Sequence, residues 1–410
     1  MNAFDVLKER GFVQQCSDES ALQKILSSSG IVYYIGFDPT ADSLHVGSLM
    51  PIMAMAHLQK AGNIPIAIIG GGTAMIGDPS GRTKMRQLLS VEEIETNGIK
   101  IREQLQRYLI LDNKQGMFIN NAEWLLDLNY IKFLRDIGQY FKVNEMIKAE
   151  GYRQRLEREE GLSFIEFNYQ LLQAYDFLML FERHGCILQM GGDDQWGNIL
   201  AGLDLIRRIK SEKVYALTFP LITTARGQKM GKTESGAVWL DAGKVSPYEF
   251  YQYWINTDDR DVICFLAYFT FLPMAKIHEL ATFKYAKLRI AKEILAFEAT
   301  KLAHGAEEAE KAQAASRTAF AKNGEELSAL PTTIMERDRF VPGIPVVELF
   351  CEVGLASSKS DARRLIKQGG AYLNRDKISS SEILIKEEFL ENNEILLRRG
   401  KKNYHRILVG

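Results

Sequence analysis

The chain has 410 residues, with 51 Lys plus Arg against 52 Asp plus Glu and a formal net charge of −1. That length exceeds one ordinary core and predicts two or three domains, while 46% hydrophobic and 25% charged residues exclude a fibre or a disordered chain. No apolar run reaches the roughly 18 residues that span a bilayer, and the first turn of sequence carries acidic side chains without a long apolar core. The expectation is a soluble, cytoplasmic protein with no membrane partner. Cys16, Cys186, Cys264 and Cys351 form no C-x-x-C pair, so free thiols are expected and neither a disulfide framework nor a metal site. With the charges balanced, nucleic-acid binding has to be argued from local clusters.

Three segments in the first half share one design, an apolar strand followed by a loop of Gly, Asp or small polar residues and then a helical pattern: 31–36, 64–71 and 186–192. Alternating strands and helices predict an α/β domain with a Rossmann-like parallel sheet, whose ligands bind beyond the carboxyl ends of the strands.

The first loop, Asp38-Pro39-Thr40-Ala41-Asp42-Ser43-Leu44-His45-Val46-Gly47-Ser48, leads into a helix rich in Met and Leu. A helix start presents unpaired N–H groups and the positive end of the dipole, which suit phosphate. Gly47 permits close approach of a nucleotide, and His45 has a hydrogen bond to offer a phosphate oxygen. From spacing alone, a cap supplied by Asp42 or Ser43, with His45 at the surface, is an equally good account. The second loop runs from Gly70-Gly71-Gly72-Thr73 through Gly77-Asp78-Pro79-Ser80-Gly81-Arg82-Thr83-Lys84-Met85-Arg86 and fits neither G-x-G-x-x-G nor G-x-x-x-x-G-K-[ST]. It reads as a flexible glycine-rich loop on which Arg82 and Arg86 either reach a polyphosphate or form a solvated turn.

Residues 164–181 predict one helix, apolar on nearly every side except for Tyr169, Gln173 and Asp176 at i, i+4 and i+7. A buried carboxylate without a partner is costly, so Asp176 requires a donor from the protein or from a ligand. The third strand opens into Gln189-Met190-Gly191-Gly192-Asp193-Asp194-Gln195-Trp196. Its carboxylates and amides suit ribose hydroxyls or an amino group better than phosphate; capping by Asp193 or Asp194 is the alternative. After a strand predicted at 219–224 comes Gly227-Gln228-Lys229-Met230-Gly231-Lys232-Thr233, whose first glycine stands one residue too close for a P-loop. Two lysines on a glycine-bearing loop suit a different task, stabilising phosphates as they leave.

Taken together, His45-Val46-Gly47-Ser48 and Lys229-Met230-Gly231-Lys232-Thr233, about 180 residues apart, resemble the two signature motifs of the class I aminoacyl-tRNA synthetases. Tyr33-Tyr34-Ile35-Gly36-Phe37-Asp38-Pro39-Thr40, the 169–176 stripe and Gly191-Gly192-Asp193-Asp194-Gln195 resemble the bacterial tyrosyl-tRNA synthetases in particular. The likeness covers nearly the whole chain. It implies tyrosine activation by ATP, with Mg2+ accompanying the nucleotide and no tightly bound cofactor, followed by transfer to tRNA(Tyr) by a homodimer.

By this resemblance Tyr34 and Asp176 hold the phenol hydroxyl, and Tyr169, Gln173 and Asp78 take the α-amino group with Asp38 close by. Thr40 and His45 contact the γ-phosphate, and Arg82, Arg86, Lys229 and Lys232 stabilise the departing pyrophosphate. Gly192, Asp194 and Gln195 meet the ribose and the reacting carboxylate, while Gly36 and Gly47 belong to the ATP site. Phenylalanine would leave Tyr34 and Asp176 unsatisfied, so no editing domain is required. Ser48 stands in place of the second histidine of the usual first signature, with a shorter reach toward ribose, and Gly231 and Thr233 replace serines of the second.

The implied organisation is a catalytic domain at 1–220, a mobile lysine loop and connection at 221–246, an α-helical tRNA-binding domain at 247–322 with a long helical stretch at 283–304, a linker at 323–344 and an α+β RNA-binding module at 345–410. That last module holds 12 Lys/Arg and 9 Asp/Glu, so clustering matters more than count. Lys359, Arg363, Arg364 and Lys367 recur at helical spacing, and Arg398, Arg399, Lys401 and Lys402 form a second group; phosphate binding and a solvated face both account for them. The competing functional readings are a related nucleotidyltransferase or tryptophan-specific synthetase on the same fold, and a non-enzymatic RNA-binding protein built around the C-terminal module.

Overall fold

The computed structural model describes residues 2–80, 89–157, 161–225, 227, 230–233, 236–320, 330–374, 376–391, 393–400 and 403–410, with backbone alone at 150, 154, 232, 233, 286 and 318–320. The chain packs as two compact units, Met1–Asp241 with Asp258–Ala291, and Ala242–Thr257 with Lys292–Gly410. The helical stretch at 247–322 is thus shared between them.

The first unit is built on a six-stranded sheet: β1 (Gln15–Cys16), β2 (Val32–Phe37), β3 (Ile64–Ile69), β4 (Met117–Asn120), β5 (Leu188–Gly192) and β6 (Tyr215–Phe219), in the order β1-β6-β5-β2-β3-β4. β1 runs antiparallel to β6 and the other pairings are parallel. The chain crosses from β2 outward to β3 and β4 on one side and later to β5 and β6 on the other. The loops after β2, β3 and β5 therefore emerge together at a topological switch point, where open α/β sheets bind ligands.

Two elements differ from the sequence pattern. The strand expected at 219–224 lies instead at Tyr215–Phe219, because Pro220 has no N–H to continue the ladder and Leu221 points to solvent. The helix expected at 164–181 is broken. A capping box between Ser163 and Glu166 starts a single turn, Phe164–Phe167, and a second helix, Tyr169–His184, begins after Asn168. The residues 258–291 join the first unit partly through Arg10, whose guanidinium donates to the carbonyls of Ala267 at 2.8 Å and Thr270 at 3.0 Å.

In the second unit the helix Pro247–Ile255 packs on Ala306–Phe320, with Gln252 Nε2 donating to Ser316 Oγ at 3.0 Å. Its five-stranded sheet orders Asp376–Lys377, Ala371–Leu373, Glu394–Arg399, Asn403–Val409 and Thr332–Met335. The last of these falls within 323–344, the segment with linker composition, and pairs parallel with Asn403–Val409. Lys359, Arg363, Arg364 and Lys367 lie on the helix Lys359–Lys367. Lys359 pairs with Glu348 and Arg364 with Asp361, while Arg398 stacks 3.8 Å from the ring centre of Tyr372. Lys401 and Lys402 lie outside the described residues.

Candidate active site

Asp176, on the helix Tyr169–His184, is 4% exposed and finds donors within the protein. Trp124 Nε1 donates to Oδ1 at 2.7 Å and Asn121 Nδ2 to Oδ2 at 2.9 Å. Burial outweighs these two donors, and the Asp38 charge acts in the same direction as burial, so the carboxyl is pushed up to about 7. Tyr34, on β2 and 1% exposed, is pushed well above the usual phenol range by burial first and the Asp176 charge second. Its hydroxyl is buried with no hydrogen-bond partner, a condition that a folded protein rarely leaves unanswered.

Tyr169 donates to Asp38 Oδ2 at 2.9 Å and Thr73 Oγ1 to Asp38 Oδ1 at 2.9 Å. Gln195 Nε2 donates to Asp78 Oδ2 at 2.7 Å, and the Ser80 N–H holds Asp78 Oδ1 at 2.9 Å. Gln173 lies one turn along from Tyr169, its Oε1 buried with no partner. Asp38 and Asp78 are thus each held by two donors, while the amide oxygen of Gln173 has an acceptor position to offer. The glycine run explains the convergence: a Cβ on Gly70 would stand 2.0 Å from Asp38 Oδ1 and 2.4 Å from Thr73 Oγ1.

The two signature segments meet in the structure. His45 Nδ1 accepts the Gly47 N–H at 3.0 Å, so His45 itself caps the turn Val46–Ser48, and neither Asp42 nor Ser43 takes that position. With Nδ1 an acceptor, the neutral imidazole carries its proton on Nε2. Gly231, at φ +84°, packs against this turn: a Cβ there would meet Gly47 N at 2.8 Å and His45 Nδ1 at 3.0 Å. The Val46 N–H donates to Val238 O at 2.9 Å, and the Val238 N–H to Gly231 O at 3.0 Å. The absence of a side chain at Gly47 therefore serves loop packing as well as any nucleotide, since its Cβ would lie 3.1 Å from Met230 O.

Gly36 is exposed in a strand that is buried from Tyr33 to Ile35 and again at Phe37. The backbone of Thr40 turns back to Asp38 O at 2.8 Å, and Ser48 N–H donates to His45 O at 2.8 Å. Gly192 ends β5, with Asp194 in the turn Asp193–Gln195 that follows. Asp193 accepts from Gln15 Nε2 at 2.7 Å and Thr218 Oγ1 at 2.8 Å, a structural task rather than a cap. Lys232 is described by its backbone, paired with Ala237; Arg82, Arg86 and Lys229 lie outside the described residues. Asn121 and Trp124 carry no motif, and the sole sequence signal for them was the need of Asp176 for donors.

Two family models together span residues 27–407: "tRNA synthetases class I (W and Y)" matches 27–321, and "Tyrosine--tRNA ligase SYY-like C-terminal domain" matches 323–407. A tyrosine–tRNA ligase of Desulfatibacillum aliphaticivorans is 54% identical over 426 residues, covering 100% of this chain and 99% of that protein. The chain belongs to the class I tyrosine–tRNA ligases. The ligase from Caldanaerobacter subterraneus subsp. tengcongensis is 51% identical to this synthetase over 409 residues, 100% of both chains. A crystal structure of a C-terminally truncated Aspergillus nidulans mitochondrial tyrosyl-tRNA synthetase superposes with TM-score 0.70 at 31% identity, covering 77% of this synthetase and 93% of that chain. The α/β catalytic fold and the separate C-terminal domain of the synthetase agree with these matches. Among the described residues no helix is long and apolar enough to cross a membrane.

Proposed function

We propose that this synthetase binds tyrosine with its phenol hydroxyl between Tyr34 and Asp176 and its ammonium group among Tyr169, Gln173, Asp78 and Asp38. The buried Tyr34 hydroxyl without a partner, under the influence of the Asp176 charge, carries this reading. ATP lies over Gly36 and Gly47, its γ-phosphate at Thr40 and the Nε2 proton of His45, its ribose at Gly192, Asp194 and Ser48. Gln195 orients the reacting carboxylate while it holds Asp78. Mg2+ enters as part of the ATP substrate, chelated by the phosphates.

A carboxylate oxygen of tyrosine attacks the α-phosphorus, and the bond to the β-phosphate oxygen breaks to release pyrophosphate. Arg82, Arg86, Lys229 and Lys232 stabilise charge developing on that leaving group, so their contribution is greatest in the transition state. A terminal ribose hydroxyl of tRNA(Tyr) then attacks the carbonyl carbon of tyrosyl-adenylate and AMP departs. The helical segments and the C-terminal module hold the tRNA, the basic helix Lys359–Lys367 among them.

The synthetase acts in the cytoplasm as a homodimer. Exposed apolar side chains between 126 and 164, including Ile131, Val143 and a Phe164 that is 69% exposed, support an interface with a second copy. ATP–pyrophosphate exchange measured with each amino acid tests the reading: tyrosine alone should drive it. Exchange driven by tryptophan and not by tyrosine would overturn the assignment of Tyr34 and Asp176.

A further inference from the structure

Three arms of the amino-acid slot rest on one short segment outside it, residues 149–152. Tyr152 belongs to the helix Glu150–Leu156 and is 2% exposed. Its hydroxyl donates to the carbonyl of Phe167 at 3.1 Å and accepts the N–H of Gln170 at 3.1 Å. These groups bracket the helix break at Asn168. Tyr169, the residue that grips Asp38, is the first residue of the helix that follows, and Asn168 supplies no side-chain cap. A helix start has orphan N–H groups, and Tyr152 satisfies one of them from another helix.

The same corner touches the other two arms. A Cβ on Gly151 would stand 3.5 Å from Ser80 Cα, and the Ser80 N–H holds Asp78. A Cβ on Gly197 would stand 3.1 Å from Ala149 Cβ, two residues after Gln195, the other partner of Asp78. The phenol end has separate supports in Asn121 and Trp124. Loss of the Tyr152 hydroxyl should therefore disturb one end of the slot and spare the other.

We infer that Tyr152 is a positioning residue for the ammonium end of the tyrosine slot, acting through the start of the Tyr169 helix and the Asp78 turn without touching substrate. This inference rests on the proposed placement of tyrosine. Its test is pyrophosphate exchange by the full chain and Tyr152→Phe, together with inhibition by 3-(4-hydroxyphenyl)propanoate, which is tyrosine without the amino group.

Tyr152→Phe should raise the tyrosine KM about tenfold, the scale of one lost buried hydrogen bond, with the ATP KM and kcat within about twofold. The inhibition constant of the amino-free analogue should not move. An unchanged tyrosine KM, or an equal rise in the tyrosine KM and the analogue's inhibition constant, would overturn the inference, the latter marking a merely structural role. Tyr152→His, which keeps a ring with a donor and an acceptor, supplies the same ratio should the phenylalanine variant fail to fold. In whichever variant folds, a tyrosine KM raised more than the analogue's inhibition constant supports the inference, and a ratio of the two unchanged from the wild type overturns it. If the wild type shows no tyrosine-dependent exchange, the placement of tyrosine itself is refuted.

Discussion

Asn121 Nδ2 stands 2.9 Å from Asp176 Oδ2 and 3.1 Å from Thr73 Oγ1. Thr73 in turn donates to Asp38 Oδ1, and Tyr169 donates to Asp38 Oδ2. Trp124, Asp176, Asn121, Thr73, Asp38 and Tyr169 thus form one unbroken run of hydrogen bonds from Asp176 to Tyr169. Losing one member leaves its immediate neighbours unsatisfied, while Asn121 and Trp124 hold Asp176 directly whatever happens at Tyr169.

Asn121→Ala is expected to raise the tyrosine KM and to narrow the preference for tyrosine over phenylalanine. Removing a donor from a buried carboxylate costs about 1.5–3 kcal/mol, or roughly ten- to a hundredfold. Pyrophosphate exchange with the two amino acids measures it. Asn121→Asp should be worse, because a second carboxylate faces the first. Unchanged discrimination in both variants would remove Asn121 from the specificity network.

The sheet and the two signature loops were legible because their signals are local: apolar strands closed by glycine, and a histidine turn and a lysine loop with recognisable spacing. The polar stripe Tyr169, Gln173 and Asp176 was legible as a contradiction, polarity on a face otherwise buried. Asn121 and Trp124 were not, since their importance comes from a tertiary contact with Asp176. The break at Asn168 was hidden for a related reason: apolar periodicity runs through it, and what pins it open is Tyr152, from a different helix. The glycines at 70–72 suggested a flexible loop, whereas the structure uses the missing side chain of Gly70 to let Asp38 and Thr73 meet.

The raised Asp176 carboxyl gives an unusual pH dependence. Between its ordinary value of 3.8 and about 7 the folded state holds a proton that the unfolded state has released. Its contribution to stability is therefore full below the lower value and declines as pH rises through 7, opposite to a salt-bridged carboxylate. Asp176→Asn resembles the protonated acid and should flatten the fall in urea midpoint across this window. Tyrosine binding should show the reverse slope, strengthening as pH rises through 7, because in the proposed placement the phenol hydroxyl donates to the ionised carboxylate. A tyrosine KM profile identical in wild type and Asp176→Asn would contradict the contact.

Lys229→Ala and Lys232→Ala should each slow adenylate formation with little change in tyrosine affinity, since the additional charge on the departing pyrophosphate develops as the bond to the α-phosphorus breaks. Gly231→Ala should act in the same direction without removing a charge. At φ +84° a Cβ is strained and would meet the backbone nitrogen of Gly47 at 2.8 Å, so the loop must move off the His45 turn. Single-turnover adenylate formation beside equilibrium tyrosine binding separates the two effects. A loss of tyrosine binding matching the loss of rate would show that the loop serves the amino acid and not the phosphates.

Gly70→Ala tests whether the glycine run serves the amino acid or the nucleotide. The added methyl would be placed 2.0 Å from Asp38 Oδ1 and 2.4 Å from Thr73 Oγ1, well inside van der Waals contact, so one of those side chains must leave the network. Overpacking at such a site costs about 1–3 kcal/mol and moves neighbours off their rotamers. Asp38 is the more damaging loss, because it accepts from both Tyr169 and Thr73. The tyrosine KM should therefore rise well before the ATP KM does, and the melting temperature should fall by several degrees. If the ATP KM rises first, the loop after β3 is a phosphate-binding element, and its glycines were selected for the nucleotide rather than for the approach of Asp38 to Thr73.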